Sequence, residues 1–509
     1  MKRQLFFSLI RYLTFSITVA AIFLYVIGPR WEHHKQVSAS HSSTPDSITH
    51  HTLTLQGKKY AYTTRAGTLT LYDTQHHPTA KVFYTADTLD NFSSKKRPIT
   101  FFYNGGPGSS SMLLRMASFG PKRIILNNHK AVSPAPYRLV DNKYSLLDKT
   151  DLVFIDMPGT GFGRLIGNSK PSDFYSVDKD AAAFTHFIKH YVNVNHRWNS
   201  PKFLFGESYG TTRTAILAHE LQNQGIQLNG VILLSSILNY GLMGNKAGIG
   251  DWQYILYLPS MAAASWYFHQ SDYHPSSLTS LLAEVEHFAL TDYITALAQG
   301  SQLSTETFHA IAQKLHRYLG LSQKYIENNN LRISSGKFSA TLIREKQEKM
   351  GRFDARFTLF SVKNDDNSSK ISPDSTMVTI KDAVLAMSNE YLHKDLHYQS
   401  SIPYLSGLSI YKKWNFRHGD QWLVNSSFDL INAMIDNPYL RVFSASGYYD
   451  FATPYLATVY TFQHMNLPPA LNKNITQKFY ASGHMIYLDP GSLKQLRQDL
   501  GEWYDNTDV

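Results

Sequence analysis

The stretch FLFGESYGTTRTAILAHEL, residues 203–221, contains the pattern Gly-x-Ser-x-Gly between an apolar run and a segment with helical spacing. The run KFLFG at 202–206 is typical of a buried strand, and Gly225 could end a helix that continues through Glu220. A serine at such a strand-to-helix turn is exposed at the edge of an α/β sheet, where it can act as a nucleophile. Ser208 is therefore the candidate nucleophile, and a structural turn is the alternative for so short a motif.

A serine hydroxyl needs a base that accepts its proton and a carboxylate that orients this base. Asp450 follows the predicted strand RVFSAS at 441–446, and His484 follows the predicted strand KFYAS at 478–482. The chain order serine, aspartate, histidine is that of the α/β-hydrolase arrangement. We therefore predict a Ser208–Asp450–His484 triad; the alternatives are a turn former for the aspartate and an ordinary loop residue for the histidine.

An oxyanion hole needs two preorganised backbone N–H groups close to the nucleophile. Tyr209, directly after the serine, would supply one of them. The loop after the predicted strand in PITFFYNGGPGSSS, residues 98–111, would supply the other, because glycines let a backbone approach the reacting carbonyl. We assign this second N–H to Gly106, and a tight turn is the alternative for the glycine-rich loop.

Strand-like and helix-like runs alternate on both sides of the serine motif. Short alternating runs from Thr52 to Tyr103 predict an antiparallel entry to a sheet. Predicted strands at 151–156, 202–206 and 230–235, with a predicted helix at 177–191, favour a parallel α/β sheet covered on both faces. Helical patterns dominate the following residues 237–423.

One such pattern covers 304–320, where Ser304 can cap a helix and Gly320 can end it. The predicted fold is therefore an α/β-hydrolase fold with a mostly parallel central sheet and an inserted helical cap lobe. The predicted domains are a signal or membrane-anchor segment (1–31), a linker (32–51), a first core part (52–236), the helical cap insertion (237–423) and a second core part (424–509).

Composition excludes several classes of function. The chain has 509 residues with 13% aromatics, too much ring surface for a chain that stays unfolded. Its net charge is +10, but no run of five like charges occurs, so a nucleic-acid partner is not expected. It has 0 cysteines, which removes disulfides, thiolate catalysis and Cys-based metal sites. We predict no metal and no cofactor.

The first residues indicate export. Lys2 and Arg3 precede an apolar run, and no charge occurs from Tyr12 to Gly28. The nearest small-x-small cleavage pattern, at 37–39, lies rather far downstream, which favours an uncleaved anchor over a cleaved signal. The expected location is the periplasmic side of the membrane, or outside the cell if the segment is cleaved; the oligomeric state is unknown.

Five segments, spread over about 390 residues, resemble the ordered signature blocks of the serine carboxypeptidase family, peptidase family S10. They are YNGGPGSSS (103–111), FIDMPGTGFG (154–163), GESYG (206–210), SGYYD (446–450) and SGHMIYLDP (482–490). Three further segments are similar to the bacterial branch: GPKRI (120–124), GRFDARF (351–357) and YYDFATP (448–454). GRFDARF is the least specific of them, and an ordinary helix end is its alternative.

The resemblance implies cleavage of C-terminal peptide bonds through an acyl-enzyme, with peptides carrying a free C-terminus as substrates. It also assigns binding of the substrate carboxylate to Asn104 and Glu207. A buried glutamate has a raised pKa, and its protonated form can donate to a carboxylate; a structural hydrogen bond is the alternative for Glu207.

This chain departs from the eukaryotic members at two positions. Ser118 stands where they have a second glutamate, and Ser109 stands where they have a cysteine. The first departure leaves the expected carboxylate clamp incomplete. An esterase or acyltransferase with the same triad is therefore the main rival function, followed by an inactive binding protein on the same scaffold.

Overall fold

The computed structural model describes residues 45–507, apart from 93–96, 127–128, 130–131, 244–249, 272, 274 and 362–373. The predicted signal or anchor segment and most of the predicted linker lie outside these residues. Within the part of the chain that is described, no helix combines the length and the apolar character needed to cross a membrane.

The strands are β1 (Ser47–Leu55), β2 (Lys58–Tyr72), β3 (Pro78–Leu89), β4 (Ile99–Tyr103), β5 (Lys122–Ile124), β6 (Leu139–Asp141), β7 (Asp151–Ile155), β8 (Arg164–Leu165), β9 (Lys202–Glu207), β10 (Gly230–Leu234), β11 (Glu348–Met350), β12 (Thr358–Phe360), β13 (Arg441–Gly447) and β14 (Ile475–Tyr480). Ten of them form the central sheet, in the order β1-β2-β3-β7-β4-β9-β10-β13-β14 with β8 beside β3.

Pairing in this sheet changes direction once. The first three strands pair antiparallel with one another, and β3 also pairs antiparallel with β7. From β7 onward every neighbour is parallel. The predicted mostly parallel sheet is confirmed, and the fold is that of an α/β hydrolase. The predicted antiparallel entry is correct for β1 to β3 but wrong for β4, which pairs parallel with both of its neighbours because it lies inside the covered part of the sheet.

The central strands are apolar because both faces of the sheet are covered. Every residue of β4, β7, β9 and β10 is buried. Successive side chains point to opposite faces, so Phe101 belongs to one hydrophobic cluster and Phe102 to the other. Such continuous burial explains why these strands lack the alternation of buried and exposed residues seen in β1 and β2.

The helices are α1 (Val177–Val194), α2 (Tyr209–Asn223), α3 (Trp252–Ile255), α4 (Leu258–Tyr267), α5 (Leu278–Phe288), α6 (Ile294–Gln299), α7 (Thr305–Leu319), α8 (Gln323–Asn328), α9 (Ser335–Thr341), α10 (Ser375–Glu390), α11 (Ser427–Asp436), α12 (Tyr455–Gln463), α13 (Pro469–Asn472) and α14 (Pro490–Asp505). Helices α1, α2 and α11 cover one face of the sheet, and α10 and α14 cover the other.

Helix α7 shows how local signals set the ends of an element. The Ser304 side chain accepts from the Thr307 N–H at 3.1 Å, which satisfies one of the free donors of the first turn. Gly320 ends the helix in the left-handed region, with φ 67°. The helix predicted at 304–320 is therefore confirmed.

The predicted cap insertion packs in two different ways. Residues from Leu242 to Met350 form a separate hydrophobic cluster, to which Tyr449 and Phe451 also belong. The later segment returns to the core, where the Leu405 N–H donates to the Gly161 carbonyl at 2.9 Å. The boundaries at 237 and 423 remain proposals, and the structure favours a lobe that ends near 350.

The core begins earlier in the chain than predicted. Strand β1 starts at Ser47, so the structure places the last residues of the predicted linker, 47–51, in the sheet. Ile48 and Thr49 have β-branched side chains, and this segment pairs with 62–66 of β2. The His and Ser content of the linker concealed this strand.

Candidate active site

Ser208 lies at a sharp turn between strand β9 and helix α2. Its backbone has φ 60° and ψ −129°, a strained conformation for a residue other than glycine. The turn is tight because Gly206 has no side chain: a Cβ there would lie 2.2 Å from the carbonyl oxygen of Gly210. The strain holds the Ser208 side chain at the carboxyl edge of the sheet.

Asp450 and His484 lie beyond the ends of β13 and β14 and contact each other. His484 Nδ1 is 2.7 Å from Asp450 Oδ2. The buried carboxylate also accepts from the N–H groups of Ala452 and Thr453, at 2.6 and 2.9 Å, and from the Thr453 hydroxyl at 2.7 Å. These donors fix the carboxylate, which in turn fixes the proton on Nδ1 and leaves a lone pair on Nε2.

His484 Nε2 and Ser208 border the same cavity of about 340 Å³. Nε2 is buried and has no hydrogen-bond partner among the described residues. Hydrogen bonds between a nucleophile and its base often tighten only in the substrate complex. The cavity is thus lined by the candidate nucleophile and the candidate base, and Nε2 of this base is not engaged by another described residue.

The two predicted oxyanion donors lie on backbones that touch. A Cβ at Gly105 would lie 2.5 Å from the Tyr209 nitrogen, so the glycine-rich loop contacts the start of α2. The Tyr209 N–H has no partner within its helix, because Tyr209 is the first helical residue. Gly106, with φ 107°, lines the cavity next to Ser208.

Asn104 and Glu207 border the same cavity and are both buried. Glu207 Oε2 accepts from the Tyr487 hydroxyl at 2.8 Å, and Asn104 Oδ1 accepts from the Leu114 N–H at 3.1 Å. Burial raises the pKa of Glu207 to about 7, against the opposite effect of nearby His484. Near neutral pH a fraction of Glu207 is therefore protonated and can donate a hydrogen bond.

The segment GRFDARF, whose site role the motif analysis missed, forms a loop between β11 and β12. The interpretation of this segment as a helix end is therefore wrong. Asp354 accepts from the Gly483 N–H at 3.0 Å and forms a buried ion pair with Arg356, with Oδ2 to Nη2 at 2.7 Å. The same guanidinium donates to the Ala481 carbonyl at 2.7 Å. The loop thus forms hydrogen bonds with the residues on both sides of Ser482.

The same loop also contacts the base and the segment that carries the acid. The Phe353 carbonyl accepts from the His484 N–H at 2.6 Å, and the two rings lie 5.1 Å apart. The Arg352 carbonyl accepts from the Phe451 N–H at 3.0 Å. The sequence offered one signal for this role, an Asp-x-Arg pair flanked by two aromatic residues. No local pattern, however, indicates which residues this segment contacts.

A second feature that the motif analysis missed is a buried ion pair on the helix that follows the candidate nucleophile. Arg213, on the helix that follows Ser208, forms a fully buried pair with Asp180, with Nε to Oδ2 at 2.7 Å. Its Nη1 donates to the Asn104 carbonyl at 3.0 Å. One guanidinium therefore ties α2, α1 and the glycine-rich loop together.

The two positions that depart from eukaryotic members have separate structural explanations. Ser118 is buried in a π-helical turn, Leu114–Phe119, and its hydroxyl donates to the Leu114 carbonyl. It does not line the cavity. Ser109 does line it and forms a β-bridge with Gly407, so backbone pairing holds the loop where no disulfide can.

No cluster of three or more potential metal-ligating side chains occurs within the described residues.

Comparisons with known proteins give the family and the fold. The profile of the family described as serine carboxypeptidase matches residues 60–487. Serine carboxypeptidase-like 51 of Arabidopsis thaliana is 32% identical over 119 residues, 23% of this chain and 23% of that protein. The pheromone-processing carboxypeptidase kex1 of Aspergillus niger is 27% identical over 171 residues, 33% of this chain and 26% of that protein. The match spans about a quarter of the length of each of these relatives.

A solved structure extends the likeness to most of the chain. The crystal structure of KEX1(delta)p, a prohormone-processing carboxypeptidase from Saccharomyces cerevisiae, superposes with a TM-score of 0.52 at 16% identity. It covers 87% of this chain and 91% of that one. At this identity the likeness establishes a shared fold.

Proposed function

Because the chain belongs to the serine carboxypeptidase family, we propose that it removes single residues from the C-termini of peptides through an acyl-enzyme. One observation carries this proposal: the cavity that holds Ser208 and His484 also contains the buried carboxyl of Glu207, whose pKa is raised to about 7. A nucleophile beside a protonated acid suits a scissile bond that lies next to a carboxylate.

In the first half of the reaction, Ser208 Oγ attacks the carbonyl carbon of the last peptide bond. His484 Nε2 accepts the hydroxyl proton, and Asp450 stabilises the resulting imidazolium through Nδ1. The N–H groups of Gly106 and Tyr209 hold the oxyanion. The imidazolium then gives its proton to the leaving nitrogen, the C–N bond breaks and the last residue leaves as a free amino acid.

In the second half, water attacks the ester carbonyl while His484 Nε2 accepts its proton. The same two N–H groups hold the second oxyanion, and His484 returns the proton to Ser208 Oγ as the ester bond breaks. The shortened peptide is released with a new carboxylate, ready for another cycle. One-residue losses in series are the expected product pattern.

Asn104 and the protonated form of Glu207 are the proposed donors to the substrate carboxylate. Their burial supports this role, because a hydrogen bond to a charged group is stronger when water is excluded. The position of Ser118 leaves the second acid of eukaryotic members without a counterpart in this cavity.

Mass analysis of the products from a mixed peptide set tests the proposal. We expect a ladder of one-residue losses from free C-termini, slow reaction of matched C-terminal amides, and no ladder with Ser208→Ala. An esterase with the same triad would hydrolyse esters freely and treat acids and amides alike, which would contradict the proposal. A folded wild type that fails to react with a fluorophosphonate probe would favour an inactive binding protein.

We also propose that the enzyme is exported and anchored by 1–31, with the catalytic core on the periplasmic side of the membrane. The charge pattern from Lys2 to Gly28 supports this proposal. Fractionation of cells that express the full chain and a variant lacking 1–31 tests it: the full chain should sediment with membranes and the variant should not. A full chain found shortened and unbound would instead support a cleaved signal. Membership of the bacterial branch likewise stays a prediction.

A further inference from the structure

The loop that holds the base also brings a positive charge to the active-site cavity. Arg352 is the one lysine or arginine among the described residues that line this cavity. Its side chain is exposed and forms no ion pair within the described part of the chain, and its guanidinium carbon lies 5.4 Å from the Phe353 ring centroid. The charge is therefore available to a ligand.

The Arg352 backbone is held firmly although the side chain is free. Its N–H donates to Asp374 Oδ2 at 2.5 Å, and its carbonyl accepts from the Phe451 N–H at 3.0 Å. Phe451 directly follows the acid of the triad. The backbone of Arg352 is therefore fixed next to the proposed triad, and its long side chain can turn towards a ligand in the cavity.

The size of the cavity indicates which part of a substrate Arg352 can contact. The cube root of about 340 Å³ is about 7 Å, and one extended residue spans about 3.5 Å. The two residues that flank the scissile bond together span about 7 Å, so they can contact the side chains that line the cavity. Ile237, Met377 and Tyr411 also line it and offer apolar surface to the side chains of these residues.

We propose that Arg352 binds a carboxylate of the substrate's C-terminal residue and thereby determines specificity. This inference rests on the proposed carboxypeptidase function. Asn104 and Glu207 provide donors without a permanent charge, and the second acid of eukaryotic members is missing, whereas a guanidinium offers a charged, two-pronged donor to a carboxylate. The carboxylate is the α-carboxylate of any peptide, or the side chain of a terminal acidic residue.

The test compares wild type with Arg352→Gln, the conservative Arg352→Lys and the control Lys412→Gln. Lys412 is an exposed cation beside the cavity residue Tyr411, but it does not line the cavity. The substrates are N-acylated Phe-Leu, Phe-Glu and Phe-Leu amide, with kcat and KM measured separately. Where turnover of the amide is too slow to measure, calorimetry on the same proteins carrying Ser208→Ala gives their affinities for the three compounds.

We expect Arg352→Gln to lower kcat/KM about tenfold or more for both free acids, mainly through KM, and to leave the amide unchanged. Arg352→Lys should recover part of the loss, and Lys412→Gln should match wild type. A loss confined to Phe-Glu supports the proposal with the side-chain carboxylate as the ligand. Equal losses for acid and amide, or no loss for either acid, overturn it.

Failure of the carboxypeptidase function gives a different result. In that case wild type itself would not convert the free acids, although it would still react with a fluorophosphonate. Labelling rates that are equal in wild type and Arg352→Gln show that the triad is intact in the variant.

Discussion

The turn around Ser208 and the loop 351–357 both position residues of the proposed triad, but by contacts of different range. At the serine turn, the missing side chain of Gly206 allows close packing against the Gly210 carbonyl, within five residues. In the loop, Asp354 reaches the Gly483 N–H across 129 positions of the chain. The sharp backbone turn at the proposed nucleophile is therefore set within a few residues, whereas the proposed base and the segment of the proposed acid contact the distant loop 351–357.

Removing the nucleophile gives the largest expected effect. Ser208→Ala should lower kcat by about 10³- to 10⁶-fold, since only the oxyanion hole and substrate binding would remain. Peptide turnover and fluorophosphonate labelling measure the loss. The variant should fold normally, because alanine removes only a hydroxyl, and residual activity near that of wild type would exclude Ser208 as the nucleophile.

Removing the long-range contacts of Asp354 should lower activity less than removing the Ser208 hydroxyl, but still strongly. Asp354→Ala removes the acceptor of the Gly483 N–H and leaves the buried Arg356 with only its longer ion pair to Asp489, at 3.4 Å. We expect kcat to fall about 100-fold from displacement of His484, and the free energy of unfolding to fall by about 3 kcal/mol. Asp354→Asn, which keeps a carbonyl acceptor, should lose less.

Active-site titration with the fluorophosphonate separates a positioning role from a purely structural one. If Asp354 only supports folding, the number of labelled sites falls while kcat per labelled site stays constant. A lower kcat per site, with KM little changed, indicates a displaced base. Asp292→Asn, at the exposed Lys314–Asp292 pair, is the matched control and should change neither quantity.

Glu207, directly before Ser208 in the chain, should give an effect of about tenfold. Its pKa, raised by burial to about 7, means that the donor form is present below pH 7 and is lost as the pH rises through 7. The KM of free-acid peptides should therefore rise about tenfold between pH 6 and pH 8. In Glu207→Gln the KM should not vary over this range; a variant that keeps the wild-type profile would contradict the assignment.

His418, outside both regions, should affect stability and leave activity unchanged. Hydrogen bonds to Asp429 and Asp178 raise its pKa from 6.5 to about 9. Because the folded pKa exceeds the unfolded one, the stabilisation is complete below about pH 6.5 and is lost as the pH rises through 9. We expect about 1–2 kcal/mol after allowance for solvent screening.

Urea unfolding at pH 6 and at pH 9.5 checks this expectation. His418→Gln should be less stable than wild type at pH 6 and nearly equal to it at pH 9.5. A stability deficit of the same size at both values would attribute the effect to packing. Peptide turnover at pH 6 should be the same in both proteins, which separates this ion network from the catalytic cavity.

Local patterns allowed much of the fold to be predicted. The strands at 151–156, 202–206 and 230–235 were recognisable because burial on both faces makes them continuously apolar. Helix α7 could be bounded from Ser304 and Gly320 alone. The start of β1 could not, since its residues resemble those of a polar linker and become a strand only by pairing with β2.

The residues of the candidate site also fall into those that local patterns predict and those that they do not. Ser208, Asp450 and His484 each follow a recognisable strand, so their order and places were predictable. The partners of Asp354 were not, because an Asp-x-Arg pair in a loop is compatible with many environments and only the tertiary fold brings it to Gly483. The buried pair of Arg213 and Asp180 was hidden likewise, since a charged residue within a helix usually indicates a solvated face.

The dependence of Gly483 on Asp354 has a consequence for biosynthesis. A ribosome completes the serine turn long before it reaches the codons for 351–357, Asp450 and His484, so a nascent chain carries an unactivated alcohol. With the proposed triad, we expect hydrolytic activity only after β14, the last strand of the sheet, has paired with β13.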